Sequence, residues 1–501
     1  MTTPAEQVDV LIIGAGLSGI GAAAQVGANF PDKKVVVLES RASSGGTWDL
    51  FKYPGIRSDS DMLTFGFGFR PWHGTKVLSD GPSIKAYVEQ TAAEYGVTER
   101  THFGTTVKAA NWDSATQRWA TEVLNAEGET EIWTSQYAVL ATGYYDYDNA
   151  HRPTWTGEKS YKGQFVHPQF WPEDLDVTGK KVVVIGSGAT AITLIPNLAE
   201  AGAEVTMLQR SPSYVGTVPS VDPVSVVLDK VGVPKAVSYH VGRIRNIALQ
   251  QGIYRACKAA PGPMRAFLMA QAKAQLGDVD MEHFTPNYKP WDERLCVVPN
   301  GDLFRTLRRG EARIVTDHIK KFDRTGILLE GGEHLDADIV VTATGLTIKV
   351  GGGIDITVDG APVPVRDRML YKGVMLEGVP NAILVLGYTN ASWTLKVDLA
   401  AAYFSRLVSH LKRGGYTSVV ATADADERRD VSVMGDSMRS GYIARGDAVM
   451  PRQGKSGPWR IKNDYFRDWP MLKRAKIDDA ALTFTRQTAQ VASDEPDAIA
   501  V

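Results

Sequence analysis

The chain of 501 residues contains two copies of one glycine-rich pattern, and this repeat constrains its fold more than any other feature. The first copy is an apolar run at 8–13 followed by Gly14, Gly16 and Gly19 in the spacing GxGxxG, and then an alanine-rich stretch typical of a helix. Gly14 permits a tight turn, Gly16 lets the backbone approach a pyrophosphate, and Gly19 lets the helix pack on its strand. The next strand ends in Glu39, which can accept a hydrogen bond from a ribose hydroxyl group.

A second copy of the pattern begins with the apolar run at 181–185. Ala191 takes the place of the third glycine, a replacement that this fingerprint tolerates. The next strand ends in Arg210 instead of an acid, and an arginine can pair with a 2′-phosphate that a carboxylate would repel. Two such units predict electron transfer between two cofactors, with FAD in the first unit and NADPH in the second. The cofactor-binding residues predicted in the second unit are Gly186, Ser187, Gly188, Thr190, Arg210 and Ser211.

The sequence Ala-Thr-Gly follows an apolar strand twice, at 141–143 and at 343–345. Together with the glycine motifs, it predicts an α/β fold with two Rossmann-like dinucleotide-binding domains, for FAD and NADP, and a helical insertion. We expect helices in this insertion around 247–259 and 263–276. The predicted division is an FAD-binding domain (first part) at 1–147, an NADP-binding domain (first part) at 148–212, the helical insertion at 213–290, the second part of the NADP-binding domain at 291–345, the second part of the FAD-binding domain at 346–485 and a flexible tail at 486–501.

Composition argues against several other classes of protein. Lys and Arg number 55 against 57 Asp and Glu, so the net charge of −2 gives no electrostatic basis for binding nucleic acid. The only cysteines, Cys257 and Cys296, are too far from the first glycine motif for a disulfide reductase and too few for a Cys-rich zinc site, so no metal site is predicted. No apolar run is long enough to span a membrane, and the chain starts without a basic and then apolar leader, which predicts a cytoplasmic location.

A basic stretch adds a membrane prediction to that location. From Lys230 to Lys273 the chain carries eight Lys or Arg and no acid, and apolar residues lie between the charges. A basic amphipathic helix can lie on an anionic membrane surface, which predicts weak peripheral association. The alternative is that these helices pack over the active site and that their charges are simply solvated.

The segment before the second glycine motif reads YKGQFVHPQFWP and contains Gly163, His167 and Trp171. It resembles FxGxxxHxxxW followed by Pro, the fingerprint of type I Baeyer–Villiger flavin monooxygenases. Tyr161 stands where Phe is usual, and Pro168 stands where Thr often follows the histidine. The resemblance implies that His167 lies at a domain linker and helps to couple domain movement to the reaction cycle. A hydrogen-bonded structural histidine is the alternative.

A second block resembles another motif of the same family. Gly45, Gly46 and Trp48 match its Gly-Gly-x-Trp, and Tyr-Pro-Gly at 53–55 with Asp59 matches the rest. The resemblance implies that Gly46, Trp48 and Asp59 contact the cofactors. Trp48 is expected to form an aromatic wall near the flavin and nicotinamide, and plain core packing is the alternative for it.

A third block, WDERLC at 291–296, matches the place of the family's active-site arginine, which is Arg294 here. Glu293 stands where many members carry a lysine that helps to hold the nucleotide phosphate, so Arg210 and Ser211 must contribute more to that contact. The stretches PWDERLCVVPNGDLF and GYTNASWTLK most resemble the ethionamide-activating subgroup of the family.

The resemblance implies an FAD- and NADPH-dependent enzyme that inserts one oxygen atom of O2 next to a ketone carbonyl, through a C4a-peroxyflavin, to give an ester or lactone. A fixed cation would stabilise the negative charge, and Arg294 suits this catalytic role because it stays charged at any working pH. Asp59 would orient Arg294 through a charge-assisted pair. The alternatives are a helix cap for Asp59, with Asp61 as the rival partner, and a surface ion pair for Arg294.

Two other functions stay open on the sequence alone. An N- or S-oxygenating flavin monooxygenase shares the cofactors but uses a protonated, electrophilic hydroperoxide, so it does not need Arg294 with Asp59 to hold an anion. A non-catalytic redox-sensing flavoprotein is a more distant alternative. The predicted partners are therefore a small-molecule ketone or, as a second class, a sulfide, together with O2, and no nucleic acid.

Overall fold

The structure, a computed structural model, describes residues 6–436, 438 and 440–487. Two sheets in it correspond to the two glycine-rich units. The larger sheet has the spatial order Ala361–Pro362, Asp355–Val358, Thr106–Asp113, Arg118–Leu124, Thr130–Leu140, Gln7–Ile13, Val35–Leu38 and Thr101–His102, with Ala382–Leu384 also paired to Thr130–Leu140. The second sheet has the order Ala312–Thr316, Glu204–Gln209, Lys181–Ile185, Ile339–Thr342 and Gln164–Val166.

Burial on both faces explains why the parallel central strands are apolar where they pair, for example at 10–13 and 35–38. Gln7–Ile13 lies parallel between Val35–Leu38 and Thr130–Leu140, so that Ile12 is opposite both Val37 and Val139. One face of this strand packs against helices and the other against the antiparallel strands of the same sheet, so its apolar side chains are buried on both sides. All four residues of Val35–Leu38 are buried accordingly.

The α-helices of the described residues complete the layers around these sheets. Helix α10 packs along α1 on the larger sheet, and α5 and α9 pack together beside the second sheet. The helices are α1 (Leu17–Asn29), α2 (Thr47–Leu50), α3 (Met62–Phe65), α4 (Gly81–Glu94), α5 (Ala189–Glu200), α6 (Pro223–Lys230), α7 (Lys235–Ala259), α8 (Pro261–Leu276), α9 (Asp302–Arg308), α10 (Trp393–Gly414), α11 (Gly441–Gly446) and α12 (Tyr465–Lys473).

Helix α7 is longer than the sequence predicts. It begins at Lys235, whereas the expected helix began at 247. Its first three turns place Val237, Val241 and Ile244 outward and Tyr239 inward, so apolar residues occupy both faces and the helical period is hidden. Helix α8, Pro261–Leu276, agrees with the expected segment to within two residues.

The predicted domain boundaries stay predictions. The strand Ala382–Leu384 and helix α10 both join the larger sheet, so the chain returns to its first unit after the second one. At the predicted tail, Arg486 still donates hydrogen bonds to the carbonyl oxygen of Gly414. The rest of that tail, from residue 488, lies outside the described residues.

Candidate active site

A single cavity of about 1420 Å³ is lined by both glycine motifs. It lies beyond the carboxyl ends of the central parallel strands, where open α/β sheets bind their ligands. Its wall also contains residues from the segments around 53–60, 141–148, 293–296 and 440–445, so parts of the chain far apart in sequence meet there. The cavity is large enough to receive two nucleotides and a small substrate at their junction.

The first glycine of each motif packs against the alanine of an Ala-Thr-Gly segment. Gly14 has a φ of +102°, and a Cβ atom on it would lie 2.8 Å from the carbonyl oxygen of Ala141. Gly186 has a φ of +141°, and a Cβ atom there would lie 2.4 Å from the carbonyl oxygen of Ala343. Both positions therefore exclude a side chain on two grounds, the backbone conformation and the close approach.

The two helices that follow the motifs are open to an anion at their N-termini. Helix α1 starts after Gly16 and α5 after Gly188, and neither helix has a side chain that caps its first N–H groups. A Cβ atom on Gly188 would meet nothing within 4 Å, so space is present directly in front of α5. Uncapped helix N-termini beside free space fit a pyrophosphate. Both cradles therefore suit a dinucleotide.

The third position of the motif differs between the copies for a steric reason. A Cβ atom on Gly19 would lie 1.7 Å from the carbonyl oxygen of Gly14, so only glycine fits there. Ala191 occupies the same place in the second unit and is fully buried. The second helix thus leaves room for one methyl group, which the fingerprint allows.

Glu39 holds the first loop as well as facing the cavity. Its carboxylate accepts hydrogen bonds from the backbone N–H groups of Ala15 at 2.6 Å and Arg41 at 2.8 Å. The residue is buried at the end of its strand and lines the cavity. The backbone of the loop therefore holds this carboxylate in place. Its contact with a ribose stays a prediction.

Gly46 and Trp48 lie against the first loop. Gly46 has a φ of +57°, and a Cβ atom on it would be 3.0 Å from the Cα atom of Gly16. The Trp48 ring lines the cavity and also packs edge-on against Phe65, with ring centroids 5.7 Å apart. Trp48 therefore lies in the cavity wall and also makes a core contact, and its place beside the flavin and nicotinamide stays a prediction.

In the second unit, Arg210 follows its strand by one residue and is exposed at the cavity wall. Ser187 donates to the carbonyl oxygen of Ser211 at 3.2 Å, which joins the glycine loop to this segment. Thr190 lies in the same wall. Glu293 faces this region too: burial raises the pKa of its carboxyl group, and the positive charge of Arg210 opposes that rise.

Arg294 and Asp59 form an ion pair in the cavity wall, with Nη2 and Oδ2 3.1 Å apart. The backbone N–H of Arg294 donates to the Ser440 hydroxyl group at 3.1 Å, which fixes the start of the side chain. About 38% of the Arg294 side chain is accessible, so its pairing with Asp59 leaves part of the guanidinium free for a ligand.

Three tyrosines surround this guanidinium. Burial opposes its charge, but the negative charge of Asp59 favours it, and the pKa of Arg294 is raised; Tyr442, Tyr145 and Tyr144 lie close to the guanidinium. Burial also raises the pKa of Tyr144 and of Tyr145, so both stay protonated at neutral pH. The arrangement is a permanent cation among neutral hydroxyl groups, which can receive developing negative charge.

Asp61, the rival of Asp59, has a different task. Its carboxylate accepts the backbone N–H of Thr64 at 3.1 Å and caps α3. It also accepts from the side-chain amides of Asn246 and Gln250 on α7. It therefore connects the insertion to the first unit and makes no ion pair with Arg294 among the described residues.

The fingerprint segment lies against the chain that follows the first Ala-Thr-Gly segment. Gln169 donates to the carbonyl oxygens of Asp146 and Tyr147, at 2.9 and 3.0 Å, and its own N–H donates to Nδ1 of His167. Burial lowers the pKa of His167, and the carbonyl groups of His151 and Gly345 lie beside its ring. His167 thus lies where the segments that contain His151 and Gly345 meet, and its part in domain movement stays a prediction.

Gly163 and Trp171 serve packing. A Cβ atom on Gly163 would lie 2.2 Å from the Tyr161 hydroxyl oxygen and 2.5 Å from the carbonyl oxygen of Asp338. Trp171 packs, half-buried, against the core of the second unit. The Tyr161 hydroxyl group donates to the carbonyl oxygen of Ala337, a bond that a phenylalanine would lack.

Sequence reasoning missed the tyrosines and Ser440. Tyr144 and Tyr145 directly follow the first Ala-Thr-Gly, and their place at the end of a parallel strand was a usable signal. Ser440 and Tyr442 come from α11 and the residue before it, and no motif marks them. Only the tertiary fold brings them to Arg294.

The fold and the site define a flavoprotein-type oxidoreductase with two dinucleotide cradles on one cavity. A family model described as pyridine nucleotide-disulphide oxidoreductase matches residues 8–223. AlmA of Acinetobacter baylyi, named a probable FAD-binding monooxygenase, is 50% identical over 488 residues, which are 97% of this chain and 98% of AlmA. EthA of Mycolicibacterium smegmatis, an FAD-containing monooxygenase, is 46% identical over 491 residues, 97% of this chain and 99% of EthA. The chain belongs to this family of FAD-containing monooxygenases.

Solved structures have the same fold. A steroid monooxygenase bound to NADP superposes with a TM-score of 0.74 at 22% identity, over 96% of this chain and 100% of that one. The open structure of cyclohexanone monooxygenase gives 0.69 at 22% identity, over 83% and 90% of the two chains. The predicted α/β fold with two dinucleotide-binding domains is thereby confirmed. The relatives confirm the predicted family of flavin monooxygenases and FAD as a cofactor. The second predicted cofactor, NADP, agrees with the first of these structures.

Two kinds of feature are absent from the described residues. No helix among them is long and apolar enough to cross a membrane. No group of three or more His, Cys, Asp or Glu side chains among them is placed to hold a metal ion.

Proposed function

We propose that this flavin monooxygenase is an NADPH-dependent Baeyer–Villiger enzyme that converts ketones into esters or lactones with O2. The observation that carries the proposal is the Arg294–Asp59 pair, 3.1 Å apart in the wall of the cavity that both glycine motifs share. A carbonyl compound that gains a nucleophilic oxygen develops negative charge on oxygen. A partly free guanidinium is a suitable group to stabilise that charge.

The residues of this chain divide the work between binding and chemistry. The N–H groups at the starts of α1 and α5 would hold the two pyrophosphates, and FAD, when bound and reduced, would supply the activation of O2. Arg294 keeps its charge through the whole cycle, and Asp59 fixes its orientation. Tyr144 and Tyr145 keep their protons at working pH and can donate to an oxygen atom that becomes negative.

The nicotinamide cofactor is proposed to be NADPH instead of NADH. Arg210 is exposed in the wall of the second cradle and has no ion-pair partner among the described residues. A guanidinium that forms no ion pair is available to a 2′-phosphate. Ser211, tied to the glycine loop by Ser187, lies next to it and can donate to the same group.

The experiment compares ketones with sulfides on the flavin-loaded enzyme. NADPH oxidation, O2 uptake and product mass are measured with linear, cyclic and aryl ketones and with a matched thioether. The proposal expects ester or lactone from at least one ketone class, with uptake of one O2 for each NADPH. Formation of a sulfoxide without ester from any of these ketones would contradict it and would favour the S-oxygenating alternative.

A further inference from the structure

The exposed apolar side chains of this protein are concentrated in the helical insertion. Nine of the twelve large apolar side chains that are exposed in the described residues lie between 221 and 267. Soluble proteins scatter such residues singly, whereas a concentration of them marks an interaction surface. The nine are Val221, Val224, Val227, Val231, Val237, Val241, Ile244, Leu249 and Phe267.

In its first three turns, helix α7 buries a charged side chain and exposes aliphatic ones. Arg243 is buried and donates to the carbonyl oxygens of Leu63 and Gly66, and it pairs with Asp398 at 3.3 Å. On the opposite side of the helix, Val237, Val241 and Ile244 form a solvent-exposed apolar stripe, and Ile244 is 65% exposed. A water-soluble surface helix normally has the reverse arrangement.

Helix α6 adds a second apolar stripe, and the two helices contact each other. Val224 and Val227 on α6 and Val231, the residue after its end, recur at three- and four-residue spacing and are all exposed, with Val231 at 70%. We call the stripes on α6 and α7, together with the exposed lysines Lys230 and Lys235 between them, the insertion face.

Most of the cations that suggested membrane binding from the sequence are used inside the fold. Arg243, Arg245, Arg255 and Lys258 form ion pairs with Asp398, Asp222, Asp464 and Asp292. Arg265 donates to the Tyr214 hydroxyl group and the Pro286 carbonyl oxygen. Three of the eight, Lys230, Lys235 and Lys273, form no ion pair with any described residue. The charge available to a membrane is therefore smaller than the sequence indicates, and the apolar area is larger.

We propose that the insertion face docks on an anionic lipid bilayer, with the valines and Ile244 in the acyl region and Lys230 and Lys235 at the phosphates. Lysine stems carry their charge to the headgroups while the aliphatic residues beside them enter the lipid. Between 230 and 277 the chain has no acidic residue that would repel the membrane. Asp229 is the one exposed carboxylate within the face.

The composition of the face favours lipid over a protein partner. Protein interfaces obtain most of their binding energy from tryptophan, tyrosine and arginine. The two stripes contain only aliphatic side chains, and the arginine and tyrosine of the first turns of α7, Arg243 and Tyr239, point inward and are buried.

Docking through this face would place the bilayer next to the catalytic unit. The inner side of α7 contacts α3, and its Ile247 packs with Tyr388, which lines the cavity. An apolar substrate dissolved in the membrane would then have a short path to the cavity. The docking itself does not depend on the proposed ketone chemistry, because it is measured as binding without turnover.

The test is co-sedimentation of the flavin-loaded full chain with vesicles at low salt. Vesicles of phosphatidylcholine mixed with phosphatidylglycerol are compared with phosphatidylcholine alone. We expect binding to the mixed vesicles, and a drop of about 100-fold in partitioning for the triple variant Val227→Asn, Val241→Asn, Ile244→Asn. The double variant Lys230→Gln, Lys235→Gln should lose about 30-fold on the mixed vesicles and little on phosphatidylcholine.

The matched control is Val449→Asn, which makes the same change at an exposed valine outside the insertion face. It should bind like the parent within about twofold. Flavin content and melting temperature show that each variant is folded, and if the triple variant is not, the lysine double variant carries the test. Absence of parental binding, or equal binding by all variants, overturns the proposal. The proposal is also overturned if light scattering shows that the parent is a dimer and the triple variant a monomer, because the insertion face would then bind a second copy of the chain.

Discussion

Replacing Arg294 by alanine tests the proposed chemistry most directly. The side chain is not part of either glycine cradle, so flavin binding should survive its loss. Ester formation should not survive, because the cavity wall would lose the guanidinium that lies 3.1 Å from Asp59 and has a free side toward the cavity. The tyrosines around it would remain, but neutral hydroxyl groups stabilise negative charge less well than a guanidinium.

The size of the effect follows from the number of donors lost. One preorganised donor to a developing oxyanion contributes about 10²–10³ in rate, or about 3–4 kcal/mol. We expect at least this loss of ester formation for Arg294→Ala. Arg294→Lys should recover little, because an ammonium group cannot keep the forked contact with Asp59 and a substrate oxygen together.

Asp59→Asn should reduce the rate by about tenfold, since one charge-assisted hydrogen bond contributes about 1.5 kcal/mol. The loss is smaller because Arg294 remains and its backbone is still held by Ser440. Arg313→Ala is the matched control: this arginine forms an exposed ion pair with Glu333, neither residue lines the cavity, and such pairs contribute little.

The assay measures flavin content, NADPH oxidation and ester yield on one preparation of each variant. The expected pattern is normal flavin content throughout, no ester from Arg294→Ala, a reduced yield from Asp59→Asn and an unchanged yield from Arg313→Ala. If Arg294→Ala binds flavin and makes ester at the parental rate, the reasoning is refuted, and another group must stabilise the negative charge.

Three further predictions concern the nucleotide site and the fingerprint. Arg210→Ala should raise the KM for NADPH far more than the KM for NADH, and equal changes in steady-state kinetics would remove Arg210 from the phosphate contact. Burial raises the pKa of Glu293, which lies near Arg210. As rising pH ionises this carboxyl group, its negative charge should repel the 2′-phosphate, and NADP⁺ should bind more weakly. Titration of Glu293→Gln should show tighter NADP⁺ binding at neutral pH with NAD⁺ unaffected; an effect on both nucleotides would contradict this. Gly163→Ala should lower the melting temperature, at a cost of about 1–3 kcal/mol, because the new methyl group would lie 2.5 Å from the Asp338 carbonyl oxygen; an unchanged melting temperature would show that the segment can shift.

The parts of the fold that are set locally could be predicted from the sequence. Gly14 and Gly186 must be glycine because of their backbone conformation and the carbonyl oxygens of Ala141 and Ala343, and these constraints leave a readable spacing. The buried parallel strands are visible as apolar runs for the same reason, since both of their faces are covered. Short-range geometry of this kind is recorded in neighbouring residues.

The surroundings of the candidate catalytic arginine were decided by the tertiary structure. WDERLC marks Arg294, but its contacts with Ser440 and Tyr442 come from a segment about 150 residues away, and no spacing rule connects them. The sequence also could not choose between Asp59 and Asp61, two carboxylates separated by one residue. Tertiary packing determines which carboxylate pairs with Arg294. Asp61 caps α3 and accepts hydrogen bonds from side-chain amides of α7, whereas Asp59 faces Arg294.

The helical insertion shows the same limit for charge. The sequence determines that its segment is basic and free of acids from 230 to 277, and this is correct as a count. It cannot tell which cations are neutralised, because Asp398 and Asp464 are supplied by elements more than a hundred residues further along the chain. Which side of α7 faces solvent is likewise set by what it packs against, and that contact placed Arg243 inward and the aliphatic side chains of its first three turns outward.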